Sequence, residues 1–434
     1  MTYHSVVDRF SFPVPLDPLS AVLFTALFLG VAYLTARRPA YGLCALVLAI
    51  PIAYSHDVLR TTVTAPKAAL LGVALGLTAY RGCGQALRRP PAPLLLWVLG
   101  IYALATALSI AGSSHCSATI RETLKAVEYG VLFAAAYLCY ALDPDDAALL
   151  RAASVATILV ALSALGQELV GAPSGLFIGP AIVPRIAGLL EGPNQLAAYF
   201  DVAVAMLGAW ALARRSALLG AALGLAVCAD VLTFSRAGLF GLLVVAGTIV
   251  AAGGKPALRA LRPGLLGLIA GLAGAAGWAI YAHTPGVMRV SFEPSVYAGG
   301  VGNRRELWSA AWRMWLAHPI FGVGAGNFEL LLPRYGVYGV RTHANSWYLQ
   351  SLAEGGIVLF AATIALVGAV LATFSRGLSL ARLRAASPWV VAALAASLAL
   401  ALHQTVDYLV FYTKVGDAWW LLLGIGAAAL RSDA

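Results

Sequence analysis

Arg185, Arg236, Arg304, Arg305 and Arg341, together with His343, are the residues of this chain whose types and spacing could do chemistry. The arginines lie near places where helices are expected to begin: after Asn194, at Ser235-Arg236, at Asn303-Arg304-Arg305-Glu306 and after Asn345-Ser346. A helix N-terminus carries unpaired N–H groups and the positive end of the helix dipole, so a cation there is unfavourable by roughly a few tenths of a kcal/mol unless an anion arrives. The planar guanidinium fork also matches phosphate oxygens two at a time, which lysine does not. Taken singly, each arginine is better read as a headgroup anchor or a helix-end donor. Gathered, they point to a phosphate or pyrophosphate. His343, in Arg341-Thr342-His343-Ala344-Asn345, could take a proton from a hydroxyl as general base, or could be ordinary polar surface. His283 and His318 read as structural, and His403 beside Asp407 as an internal hydrogen-bonding pair. Glu191, Glu293, Glu306, Glu329 and Asp407 stand apart from one another, so paired carboxylates for a divalent metal are not expected, and no cofactor is. Arginines would then neutralise the leaving group.

The elements that must position these residues are apolar. Of 434 residues, 61% are hydrophobic and 11% charged, which fits a helical membrane bundle and excludes a soluble enzyme with charged surfaces. Apolar segments fall near 18–36, 40–54, 66–80, 92–111, 123–141, 148–169, 195–213, 216–233, 237–252, 264–282, 347–373, 388–406 and 418–430. The reading is an all-α polytopic membrane protein of twelve or thirteen transmembrane helices, residues 1–434 forming one integral membrane domain. The segment at 40–54 is short for a straight span of ~20 residues. The first seventeen residues lack the pattern of a cleaved signal peptide, so the first span is expected to be retained. Five scattered cysteines give neither a disulfide framework nor a zinc site. The net charge of +10 reads as loop bias and contact with anionic membrane lipids; nucleic acid is not an expected partner.

Arginines at 37–38, 81–89, 214–215, 259–262 and 376–384 fall on one side when the spans alternate, which the positive-inside rule makes cytoplasmic. The acidic turn Asp143-Pro144-Asp145-Asp146 lands there too. Segments 171–193, 234–236, 283–346 and 407–415 then face outward. The long outer loop 283–346 holds six arginines and three glutamates. Within it, Asn303 and Glu306 read as a capping box before an amphipathic helix carrying Trp308, Trp312 and Trp315. That stripe suits either the membrane surface or packing on the bundle. Gly322-Val323-Gly324-Ala325-Gly326-Asn327 lacks the strand and lysine of a phosphate loop and reads as a flexible turn.

The order of these features resembles the O-antigen ligase and polymerase superfamily over roughly 180–360. The resemblance rests on Arg185-x-x-Gly188, Asn194, Ser235-Arg236, Arg304/Arg305 before Leu307-Trp308, His318-Pro319-Ile320-Phe321-Gly322-Val323-Gly324, Thr342-His343-Ala344-Asn345 and Glu354-Gly355-Gly356. It implies a GT-C-like helical fold with 283–346 as a periplasmic catalytic loop, in the bacterial inner membrane. The implied reaction is metal-independent, inverting transfer of a polysaccharide from undecaprenyl pyrophosphate to the lipid A-core oligosaccharide. Essential arginines map to Arg236 and to Arg304 or Arg305, and the essential histidine to His343; many relatives have a second histidine where this chain has Asn345. Two alternatives stand beside the ligase. One is an O-antigen polymerase of the same superfamily, which segment 171–193, with only Arg185, disfavours. The other is a secondary transporter or lipid flippase using Asp201 and Asp230 as intramembrane carboxylates.

Overall fold

The computed structural model describes residues 17–52, 55–58, 61–80, 93–170, 185–211, 213–214, 216–260, 273–274, 277, 301–338, 342–375 and 380–432. Among the described residues the regular structure is helical apart from one antiparallel hairpin, β1 (Ser55–Val58) with β2 (Thr61–Thr64), which pairs Ser55 with Thr64 and Val58 with Thr61. Its helices are α1 (Pro18–Arg37), α2 (Pro39–Ala49), α3 (Ala65–Ala79), α4 (Pro93–Leu108), α5 (Cys116–Leu142), α6 (Asp146–Val170), α7 (Pro193–Ala211), α8 (Ala217–Leu232), α9 (Arg236–Ala260), α10 (Val301–Ala317), α11 (Phe328–Leu331), α12 (Trp347–Ser375), α13 (Leu380–Ala385), α14 (Pro388–His403) and α15 (Thr413–Ser432). Six of the described helices are long and apolar enough to cross a membrane, and four shorter apolar helices accompany them. Twelve of the thirteen apolar segments coincide with described helices; 264–282, apart from 273–274 and 277, lies outside the described residues.

At 11 residues, α2 rises only about 16 Å, half the hydrocarbon thickness. The helix α3 packs along both α1 and α2.

Burial sorts the helices by neighbour. Leu19, Val22, Leu29, Trp97, Ile101 and Leu104, on α1 and α4, stay exposed, as a surface meeting lipid must. By contrast α7 is buried almost all round, and α14 and α15 pack against it at the centre. A helix apolar on every side belongs in the middle of a bundle.

The loops gather into two ends. At one, Arg38 donates to Asp143 at 2.8 and 3.1 Å, Trp389 Nε1 to Asp146 Oδ1 at 2.8 Å, and Arg214 lies 3.9 Å from Asp146. The acidic turn among basic loops is thus their ion-pair partner, and the Arg38 hydrogen bond holds the Asp143 carboxyl below its ordinary range. At the other end, Arg185 meets Thr233, Asn194 meets Asp407, and His115 meets Asn327. These contacts reproduce the two groups of loops that charge alone had separated.

Candidate active site

At the second end, four segments far apart in sequence converge on Asp407. Arg185 is buried; its Nε donates to the Thr233 carbonyl at 2.7 Å and its Nη2 to Asn194 Oδ1 at 2.8 Å. Asn194 Nδ2 in turn donates to Asp407 Oδ2 at 2.6 Å, and the other Asp407 oxygen accepts from the Tyr408 N–H at 2.7 Å. The helix α7 starts at Pro193, so Asn194 lies inside it and bridges Arg185 to Asp407 rather than capping a helix end. Burial pulls the Arg185 guanidinium down to about 10; the Asp407 carboxylate opposes that shift, while the charges of Arg304 and Arg236 add to it. Arg185 therefore feels two further guanidiniums and one carboxylate, and the excess positive charge is what an arriving anion would balance. Arg304 Nε is buried with no hydrogen-bond partner. Arg236 is exposed at the first residue of α9, beside Ser235, whose Oγ accepts from the Gly238 N–H at 3.3 Å. Arg305 is exposed on α10, and no contact ties it to the other arginines. Arg341 lies outside the described residues, as do 283–300 of the outer loop.

His343 is buried beside this group in an aromatic wall supplied by the turn before α15. Its ring centroid is 3.9 Å from that of Phe411, 5.5 Å from Tyr408 and 5.9 Å from Tyr412. Burial lowers the imidazole to about 3, with a further contribution from the Lys125 charge. His343 is therefore neutral at physiological pH, as a proton acceptor must be, although a base so depressed is a weak one.

A rigid latch fixes the backbone around His343. The Ala344 N–H donates to Gln350 Oε1 at 2.7 Å, Gln350 Nε2 to Glu354 Oε1 at 2.9 Å, and the Phe328 N–H to the same oxygen at 3.0 Å. The α12 helix breaks at Gly356, and loop 319–324 lies in the gap: Val323 N–H donates to the Ala353 carbonyl, Gly324 N–H to Glu354, and Ile357 N–H to Pro319. The glycines of 322–326 are therefore not a flexible turn. They permit contact: Gly322 has φ +65°, and a Cβ there would lie 2.3 Å from the Glu354 carbonyl carbon. Substituting Gly322→Ala is expected to cost about 2–4 kcal/mol. Gly336→Ala shares the left-handed strain but meets nothing nearer than 3.9 Å, so it should cost only about 1–2 kcal/mol. Thermal unfolding of the two variants checks the difference.

The only non-glycine residues with positive φ among the described residues are Phe234 (+52°) and Asn345 (+48°). One precedes Ser235-Arg236 and the other follows His343, and backbone held in that region stores of order 1–3 kcal/mol.

Several local expectations change. The α10 helix spans Val301–Ala317, so Asn303 lies within it and not at the cap position before its first residue. Leu307, Ala310, Ala311 and Met314 form its buried stripe, while Trp312 and Leu316 remain exposed and Trp308 and Trp315 lie on the flank. The tryptophans are thus only partly used in packing. His403 lies 3.5 Å from Asp201, and neither of its ring nitrogens makes a hydrogen bond, so it forms no hydrogen-bonding pair with Asp407. Asp201 and Asp230 are fully buried between helices, with Gly241 and Gly238 of α9 leaving room for their carboxyls.

Sequence reasoning missed Lys125, Phe411, Tyr408 and Tyr412. The available signal was the aromatic run Tyr408-Leu409-Val410-Phe411-Tyr412 in a turn on the arginine side.

A helical bundle with a folded loop of this kind is an all-α polytopic membrane protein. The family model described as O-antigen ligase matches residues 202–364, and over that part the chain is similar to the O-antigen ligase family. The match contains Arg236, Arg304, His343 and Glu354. No curated protein matches the chain. The family's reaction is of the glycosyl-transfer type, on lipid-linked polysaccharides.

Proposed function

We propose that this chain is an O-antigen ligase, transferring a glycan from undecaprenyl pyrophosphate to the lipid A-core oligosaccharide at the periplasmic face of the bacterial inner membrane. The observation that carries the reading is the grouping of Arg236 and Arg304 within electrostatic reach of Arg185, which Asn194 joins to Asp407, beside a neutral, buried His343. The charge bias of the opposite loops supports placing this end in the periplasm.

In the mechanism, the donor pyrophosphate is held by Arg236 and Arg304, with Arg185 behind them and Arg341 close by in sequence. Arg305, on the exposed face of α10, serves the pyrophosphate lipid as it approaches. The acceptor hydroxyl oxygen attacks the anomeric carbon from the face opposite the leaving group, so the configuration inverts. Its proton passes to the His343 imidazole. The anomeric C–O bond breaks with its electron pair going to the pyrophosphate, whose growing charge the guanidiniums stabilise without a metal. The negative charge of the bound donor also raises the basicity of His343, correcting the weakness that burial imposes.

The test is purified protein incubated with undecaprenyl-pyrophosphate glycan and, separately, lipid A-core acceptor or a second lipid-linked glycan. Transfer to lipid A-core, undiminished in chelator, is expected. Extension of the second lipid-linked glycan would assign a polymerase, and loss of transfer in chelator would overturn the metal-free mechanism.

A further inference from the structure

Lys125 projects from α5 into the back of the aromatic wall. Its Nζ is 2.9 Å from both Glu122 carboxylate oxygens, donates to the Phe411 carbonyl at 3.2 Å, and stands 4.1 Å from the Phe411 ring centroid. The other partner of that ring is His343, with centroids 3.9 Å apart. Phe411 therefore touches both an ammonium and an imidazole. Neighbouring contacts fix its place: Tyr129 Oη donates to the Val410 carbonyl at 2.7 Å, and the Val410 N–H to Gln404 Oε1 at 3.3 Å.

We propose that Lys125 is the positioning residue for His343, holding Phe411 against the imidazole and, by its charge, adding to burial in disfavouring the imidazolium form. A ring whose electron-rich faces already serve one cation has less to offer a second. An imidazolium stacked on Phe411 therefore competes with Lys125, whereas a neutral imidazole does not. A like charge close to a histidine acts in the same direction. Glu122 offsets part of the Lys125 charge, and Tyr408 and Tyr412, which also face His343, carry none at neutral pH. The bound pyrophosphate supplies the opposing charge, so the base strengthens only when a substrate is present. The inference rests on His343 being the base of the transfer reaction, but the position of Lys125 can be read independently of transfer.

The experiment follows the titration of His343 by NMR in full-length protein with labelled histidine, His343→Gln providing the assignment. The variants are Lys125→Met, which keeps the stem and removes the charge, and Lys125→Arg, which keeps the charge. Lys125→Met is expected to move the His343 titration upward by about one pH unit, with the acid limb of the kcat/KM profile moving the same way. Lys125→Arg is expected to restore the wild-type midpoint. An unchanged or lowered midpoint in Lys125→Met overturns the proposal, as does a Lys125→Arg variant that behaves like Lys125→Met. Full transfer by His343→Gln would overturn the general-base reading while leaving the NMR midpoints to decide the electrostatic role of Lys125.

Discussion

His343→Ala is expected to lower glycan transfer by about 10²–10⁴-fold with little change in thermal stability or donor binding. The side chain packs on Phe411, Tyr408 and Tyr412, but its backbone is held by the Ala344 N–H on Gln350, which the substitution does not touch. The fold should therefore survive. The pH dependence follows from burial. In the free protein the imidazole sits at about 3, well below the ~6.5 of an exposed histidine. The unfolded chain binds the extra proton between those two values, so the contribution to stability is greatest above pH ~6.5 and falls as pH drops toward 3. For catalysis the donor matters. Since kcat/KM reports the free protein and kcat the loaded one, the acid limb of kcat should lie at higher pH than that of kcat/KM. Initial rates across pH, with donor varied, check this. Coincident limbs would mean that bound pyrophosphate does not act on His343.

Removing the Arg304 charge is the other large effect. Arg304→Gln is expected to reduce transfer by about 10²–10³-fold, the loss typical of a donor aimed at developing negative charge. Arg304→Lys should recover only part of that, because an ammonium cannot reproduce the two-point fork. Arg305→Gln, by contrast, should fall within about tenfold of wild type, as expected of an exposed charge that acts on approach. The split arises from the helix: consecutive residues on α10 point about 100° apart, so Arg304 faces the Asp407 group while Arg305 turns outward. Single-turnover rates at saturating donor distinguish the three variants.

The helices and the grouping of their connecting loops were legible in the sequence because both are written in composition, apolar runs for the helices and arginines for the loop ends. That Arg185, Arg236 and Arg304 would lie near one another was also legible, since an arginine beside a helix start is a local conflict that only an anion or a carboxylate relieves. Which carboxylate relieves it was not: Asp407 lies 213 residues from Asn194, and no local pattern announces such a pairing. The same holds for Lys125, 286 residues from Phe411. The glycines of 322–326 misled for a different reason. Glycine permits both mobility and close approach, and only the partner backbone at 353–357 shows that approach is its use here. The capping box at Asn303 failed because α10, spanning Val301–Ala317, already includes that residue, and helix ends are the least local feature of a periodic pattern.

The central claim, that the arginines around Asp407 bind the donor's pyrophosphate beside His343, is most directly tested by calorimetric titration of the purified protein with inorganic pyrophosphate. Wild type and Arg305→Gln should show saturable binding that weakens with salt, and Arg304→Gln should bind at least about tenfold more weakly, a loss of ~1.4 kcal/mol. Equal binding by wild type and Arg304→Gln would contradict the claim.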